Sequence, residues 1–379
     1  MKSYLIVIAV TLLLAWLIQN TYVGDLQSKA TNRTQRWMLI GIVLILTCFI
    51  GLRTNYNDTD AYRGGYENAT EFPEFWKKLD LTLGANPGFQ ICNAAMKTIG
   101  ISWHGMFLIY SLITMSSAVW LIRKYSTDFV TSLFLFFATN AYTLTGAALK
   151  QCLAIAIGSL AIPFAFKKKW IPFSVILLLA STFHPYILMY SIAPLLTFKP
   201  WTRWTYILIA GALLSGYLFD SLVGVMIDLA ALVGDEYTEE KMMGEGINVL
   251  RVMVSMAPVA LSCLYRRDLF QDSTKQDHFF VNLSMINACV MFVGLFGSSI
   301  AFSRLAGYFT LMQCISLAWI ISRLPSRDAK FWKTIMIGCY CGFFLYANVL
   351  ASSFDRGFSR ITLWEYITNY LPSQKMYLK

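Results

Sequence analysis

Apolar residues along this chain come in long runs, not in the strict alternation of a half-buried strand or the single stripe of a soluble amphipathic helix. Twelve such segments stand out, at 4–20, 37–52, 104–122, 129–146, 150–166, 170–184, 186–198, 204–219, 247–264, 279–298, 305–322 and 331–350. A helix rises about 1.5 Å per residue and about 20 residues cross a hydrocarbon core of roughly 30 Å, so most of them approach spanning length. Several are short, 186–198 most of all. With no repeat of fixed period and no appended soluble segment of domain size, the pattern predicts an all-α polytopic membrane protein of about 12 transmembrane helices, residues 1–379 forming a single transmembrane domain.

Two polar stretches interrupt the runs, 53–103 and 220–246. In the first, Phe72, Phe75, Trp76 and Leu79 fall at i, i+3, i+4 and i+7, which predicts a helix lying on the membrane surface. In the second, Asp220, Gly224 and Asp228 share one helical face while Leu222, Val225, Met226 and Leu229 share another, again an interfacial pattern. The acids Asp235, Glu236, Glu239 and Glu240 that follow read as a solvated face without a catalytic role.

Composition agrees with the pattern and excludes a soluble enzyme: 57% of residues are hydrophobic, only 14% are charged, and the mean hydropathy is +0.55. A net charge of +10 would suit a nucleic-acid partner, but its distribution tracks the membrane and none is expected. If the N-terminus lies outside, the inner loops collect Lys29, Arg33 and Arg36, then Arg123 and Lys124, Lys167 to Lys169, Lys199 and Arg203, Arg266, Arg267 and Lys275, and Arg323, Arg327, Lys330 and Lys333. That bias places them at the cytoplasmic face. Lys2 dissents, and with the apolar run behind it resembles a secretory signal. No small-residue cleavage site follows Trp16 to Tyr22, so a retained first helix is expected. The eight cysteines fall mostly within spans, with Cys92 in a loop and Cys339-x-Cys341 inside a run, a pattern that suggests neither disulfides nor structural zinc.

The same topology gathers Arg53, Asp58, Asp60, Arg63, Lys150, His184, Arg251 and Arg304 at the extracytoplasmic face. A charge facing lipid costs about 2.5 to 3.5 kcal/mol at a helix centre, so charges retained near helix ends point to a polar cavity. For any one of them, snorkelling to the interface is the ordinary alternative; Asp58-Thr59-Asp60 alone is equally well a turn with solvated acids. Arg53, Lys150, Arg251 and Arg304 together on one face change the balance, because an anionic diphosphate would engage them together. Pro185 ends the helix before it, which can turn the His184 imidazole towards a cavity or simply make it a packing residue.

Several stretches carry a family resemblance. They are Gly51-Leu52-Arg53 through Asp58-Thr59-Asp60 and Tyr62, the Lys150-Gln151 helix start with Ala154 and Ile157, Phe183-His184, and Ser303-Arg304-Leu305-Ala306 with Tyr308-Phe309. Together they resemble the EpsG family of Wzy-like polysaccharide polymerases, over roughly residues 35–320. Lys150 stands where that pattern leads one to expect arginine, and offers a point charge in place of a planar fork.

The resemblance implies a GT-C-like glycosyltransferase at the extracytoplasmic side of the bacterial cytoplasmic membrane. It would polymerise polyprenyl-diphosphate-linked oligosaccharides as donor and acceptor, with membrane lipids around it and a chain-length regulator protein as a further partner. Displacing a diphosphate from an anomeric carbon needs positive charge on the leaving group and a base on the attacking hydroxyl. Arginine stays protonated, so Arg53, Arg63, Lys150, Arg251 and Arg304, with Gln151 and Tyr308, are assigned to diphosphate and glycan binding. His184 leads as the base, since an ordinary imidazole titrates near 6.5; Asp60 follows, and Asp58 orients a sugar or an arginine. No cofactor is expected, and a divalent cation on Asp58 and Asp60 is the less favoured arrangement. A ligase or acyltransferase acting on lipid-linked glycans, and a flippase or transporter for them, stay open.

Overall fold

The computed structural model describes residues 1–20, 29–232, 234, 238–350 and 357–370; Asp25, Asp235 and Glu236 lie outside them. The described chain is all-α apart from one two-stranded ribbon. In order it forms α1 (Lys2–Asn20), α2 (Lys29–Gly51), β1 (Arg53–Asn55), α3 (Thr59–Glu67), α4 (Pro87–Thr98), α5 (Trp103–Tyr125), α6 (Phe129–Ala138), α7 (Ala141–Ala147) and α8 (Leu149–Ser159). There follow α9 (Ile162–Phe166), α10 (Trp170–Ser181), a 3-10 helix (Pro185–Thr197), α11 (Arg203–Tyr217), α12 (Phe219–Leu232) and α13 (Glu239–Met242). The last helices before the ribbon closes are α14 (Val249–Leu264), α15 (Arg266–Leu269), α16 (Lys275–Val293), α17 (Ser299–Arg323) and α18 (Ser326–Leu345), and β2 is Ser359–Arg360.

Among the described residues six helices are long and apolar enough to cross a membrane, or eight when α6 with α7, bent by 49°, and α11 with α12, bent by 104°, each count as one span. The chain is thus a multi-pass membrane protein, but length and composition do not reach the twelve crossings that the apolar runs predict. α10 and α14 are short apolar helices of 12 and 16 residues. α16 has the length but carries Asn282, Ser284 and Asn287 buried against its neighbours. The 13 residues after His184 wind as a 3-10 helix, whose rise of about 2.0 Å per residue carries them about 26 Å, farther than an α-helix of that length would reach.

α17 is the innermost helix, with 78% of its apolar stretch buried against 22% for α1. The helices share two ends. At one, the basic loops are fastened by Asp128, which caps α6 by accepting from Thr131 N–H at 3.0 Å and pairs with Lys333 at 2.7 Å. At the other lie the long loops and the residues singled out above. There β1 pairs antiparallel with β2, so the C-terminal segment folds back against the end of α2, with Ile361 N–H donating to the Leu52 carbonyl at 3.0 Å.

The surface helix expected over 72–79 is reduced to one 3-10 turn, Glu74–Lys77. Its aromatics turn inward on each other: Phe72 stacks on Trp76 with centroids 5.1 Å apart and Phe75 sits edge-on to both. Pro73 disfavours an α conformation at Phe72, the first position of the expected helix. A helix forms in the second polar stretch as α12, which lies nearly at right angles to α11. It packs through Phe219, Val223 and Ala230, and leaves Val225, Leu229 and Leu232 exposed beside Asp220 and Asp228.

Candidate functional site

The first half of α17 organises the site. Arg304 and Tyr308 are four residues apart and share a face. The Arg304 guanidinium pairs with Asp58 at 3.2 Å, both side chains about half exposed, and Asp58 stands at the N-terminus of α3 without capping it. Gln151, 2% exposed in the first turn of α8, donates to the Arg304 carbonyl at 2.6 Å. Gly307 makes that approach feasible, since a Cβ there would lie 2.9 Å from Gln151 Nε2 and 3.0 Å from Leu144. One turn deeper, the Tyr308 hydroxyl lies 2.6 Å from His184 Nδ1, and Tyr190 donates to the Tyr308 carbonyl at 2.6 Å.

His184 is held there by its neighbours. α10 ends at Ser181, His184 adopts an extended backbone, and Pro185 starts the 3-10 helix. Gly88 at the start of α4 donates to the Thr182 carbonyl at 2.9 Å, an approach only glycine permits, because a Cβ would meet Thr182 Oγ1. The next residue, Phe89, lies under the Lys150 ammonium at 5.3 Å and edge-on to Tyr62. Burial pushes the Tyr62 phenol up to about 12, so it stays a neutral hydroxyl beside the Lys150 backbone amide, Asp58 and Arg304. Asp58, Lys150, Gln151, His184, Arg304 and Tyr308 are therefore brought together.

The remaining candidates are not part of that group. Asp60 is exposed on α3. Arg63 is committed to Glu67 at 3.0 Å and to the Trp103 ring at 4.7 Å. Arg53 is fully buried. It donates to the Ile50 carbonyl at 2.9 Å and to Thr59 Oγ1 at 3.1 Å, and lies 4.0 Å over Phe107. Burial lowers it to about 10, so it is a cation at neutral pH, and it caps the C-terminus of α2 where a positive charge is favoured. In this arrangement Arg53 supports α3 from beneath and presents nothing to a ligand.

Arg251 faces a different space, a polar cavity of about 430 Å³ between α7, α14, α16, α17 and α18. Asn57, next to Asp58, also lines it. Sequence reasoning missed this cavity. Its signal was there in uncharged polar residues inside apolar runs: Asn140, Asn287, Ser303, Thr310 and Gln313 all line it. Asn287 and Gln313 donate to the Ala306 and Val254 carbonyls at 2.7 and 3.0 Å, which ties α16 and α14 to α17. Among the described residues no cluster of three His, Cys, Asp or Glu could hold a metal ion, and Asp58 is engaged by Arg304.

Comparison with protein families gives one finding: the model of the EpsG family matches residues 36–368. The chain belongs to the EpsG family. This is a Wzy-like polysaccharide polymerase family, so a polysaccharide polymerase-type activity in a membrane follows for the chain. The match extends past the stretch that the motifs covered and takes in the C-terminal strand of the ribbon. No curated protein and no solved structure matches the chain.

Proposed function

We propose that this EpsG-family protein extends polyprenyl-diphosphate-linked oligosaccharides at the extracytoplasmic side of a bacterial cytoplasmic membrane, as a GT-C-like enzyme of twelve crossings acting as one unit. The observation that carries this reading is the convergence of Asp58, Lys150, His184 and Arg304 on one side of α17, at the end opposite the basic loops. An acceptor hydroxyl attacks the anomeric carbon of the donor, the bond to the diphosphate breaks, and the polyprenyl diphosphate leaves.

Arg304 is suited to that leaving group. A half-exposed ion pair is worth only about 0 to 1 kcal/mol, so Asp58 can release the guanidinium to a diphosphate that accepts two bonds from it. Lys150 adds a second positive charge on the same side. His184 takes the proton. In the tautomer that donates Nδ1–H to the Tyr308 oxygen the basic lone pair is on Nε2, and the imidazolium that forms is held by the same bond.

The test is the length of the glycan in cells that make the lipid-linked repeat unit. His184→Ala and Arg304→Ala should leave single units on lipid at the outer face, with few long chains. Single units trapped inside would indicate a flippase instead, and long chains of normal length would remove both residues from the reaction.

A further inference from the structure

The cavity beside Arg251 does not end in polar residues. It shares Val254 and Phe343 with an apolar slot of about 490 Å³ that runs between α14 and α18. These two helices are tied at both ends. At the site end Asn248 Nδ2 donates to the Tyr346 hydroxyl at 2.9 Å. At the basic end Trp332 Nε1 donates to the Tyr265 hydroxyl, which donates to Asp328, each at 3.0 Å. Between the ties the Tyr340 hydroxyl of α18 donates to the Val254 carbonyl of α14 at 2.9 Å, and Leu317 of α17 with the small residues Ala257, Ala260 and Gly342 line the slot beside that bond. A Cβ added at Gly342 would meet nothing within 4 Å.

We propose that this slot holds the isoprenoid tail of a polyprenyl diphosphate whose head lies in the polar cavity against Arg251. The inference rests on the reading of the substrate as a lipid diphosphate and says where on the protein one such lipid sits. Polarity along α14 matches that amphiphile. Arg251 and Ser255 face the cavity, while Leu250, Met253, Ala257, Leu261 and Leu264 face the slot. Among the described residues no carboxylate pairs with Arg251, so its charge is available to an anion. The Ser303 hydroxyl, which also lines the cavity, is buried without a hydrogen-bond partner.

Length selects the isoprenoid over an ordinary acyl chain. From Leu250 to Leu264 the slot follows about 21 Å of helix rise. One leaflet of a hydrocarbon core of roughly 30 Å is only about 15 Å deep, and a phospholipid chain stays within its own leaflet. A long polyprenyl chain can continue past the midplane and fill the slot to the Trp332 tie.

The experiment uses the full chain in nanodiscs and a polyprenyl diphosphate carrying a photoreactive group in its tail. Crosslinks should map to residues 250–264 and 335–346 and be displaced by unlabelled polyprenyl diphosphate but not by excess phosphatidylglycerol. Gly342→Trp and Ala260→Trp, whose side chains would occupy the slot from its open side, should each weaken labelling about tenfold by displacing buried methylenes. Both variants should keep the wild-type unfolding temperature, which shows that the slot was blocked and the fold kept. Labelling at 250–264 that phosphatidylglycerol displaces equally, or that both tryptophans leave unchanged, would overturn the proposal. Labelling elsewhere on the chain that only polyprenyl diphosphate displaces would reject the slot and leave the substrate reading intact. No specific labelling anywhere would reject both.

Discussion

Arg53 separates a binding role from a structural one most sharply. Its guanidinium makes two charge-assisted hydrogen bonds, worth about 1.5 to 3 kcal/mol each, and a desolvated cation–π contact worth about 2 kcal/mol. Against these stands the several kcal/mol that it costs to bury an ion. The two sides nearly cancel, so Arg53→Met, which removes the charge and keeps most of the volume, should cost no more than about 2 kcal/mol, chiefly for the Ile50 carbonyl left without a donor. Arg53→Ala also empties the space under Phe107 and should cost about 3 to 5 kcal/mol in all, as other large-to-small changes in packed sites do. The assay is thermal unfolding of the purified protein in detergent, beside binding of a polyprenyl diphosphate. The alanine variant should unfold several degrees lower, the methionine variant only slightly lower, and binding to folded protein should persist in both. An Arg53→Ala variant of unchanged stability that has lost diphosphate binding would refute the reasoning.

Three further outcomes follow from the same geometry. Cysteines introduced singly at Asp60, Lys241 and Thr274 should react with an impermeant thiol reagent from outside, outside and inside respectively; the reverse pattern would put the site on the wrong face. Arg304→Ala should reduce chain extension by at least about 10- to 150-fold, the equivalent of one of its two charge-assisted hydrogen bonds, while stability changes by no more than about 1 kcal/mol, and Arg304→Lys should recover only part of the rate. Tyr308→Phe keeps the buried ring and removes the bond to His184, so turnover should fall about tenfold or more with donor binding unchanged; wild-type turnover would make the histidine a packing residue.

The multi-pass, all-α character was legible because burial in lipid writes itself into long apolar runs, but the number of crossings was not: six to eight of the described helices or bent pairs, and not twelve, are long and apolar enough. Interruptions within spans were harder to see. The bend between α6 and α7 falls at Asn140, whose positive φ of 62° breaks the helix and whose side chain accepts from Asn348 at 2.7 Å. A lone asparagine carries that signal, but its partner lies more than two hundred residues away. The β1–β2 ribbon joins positions over three hundred residues apart through two paired positions and the Thr54–Ser359 side-chain hydrogen bond, and no local pattern announces it.

The candidate site was legible by residue type and not by role. Arg304, His184, Asp58 and Lys150 were found as charges out of place in an apolar chain, whereas Arg53 looked the same in sequence and turned out to cap a helix. Tyr62 entered as one position of the family pattern and without a role, and Phe89, which lies under the Lys150 ammonium, carries no charge and gave no signal.

The most direct measurement of the central claim is reconstitution of the purified protein in proteoliposomes with a defined polyprenyl-diphosphate oligosaccharide, followed by separation of the lipid-linked products by size. The account predicts a ladder spaced by one repeat unit, made from substrate on the face that carries Asp60, and reduced to the single unit by His184→Ala. Substrate that moves between leaflets without lengthening, or a ladder that His184→Ala and Arg304→Ala both leave unchanged, would contradict it.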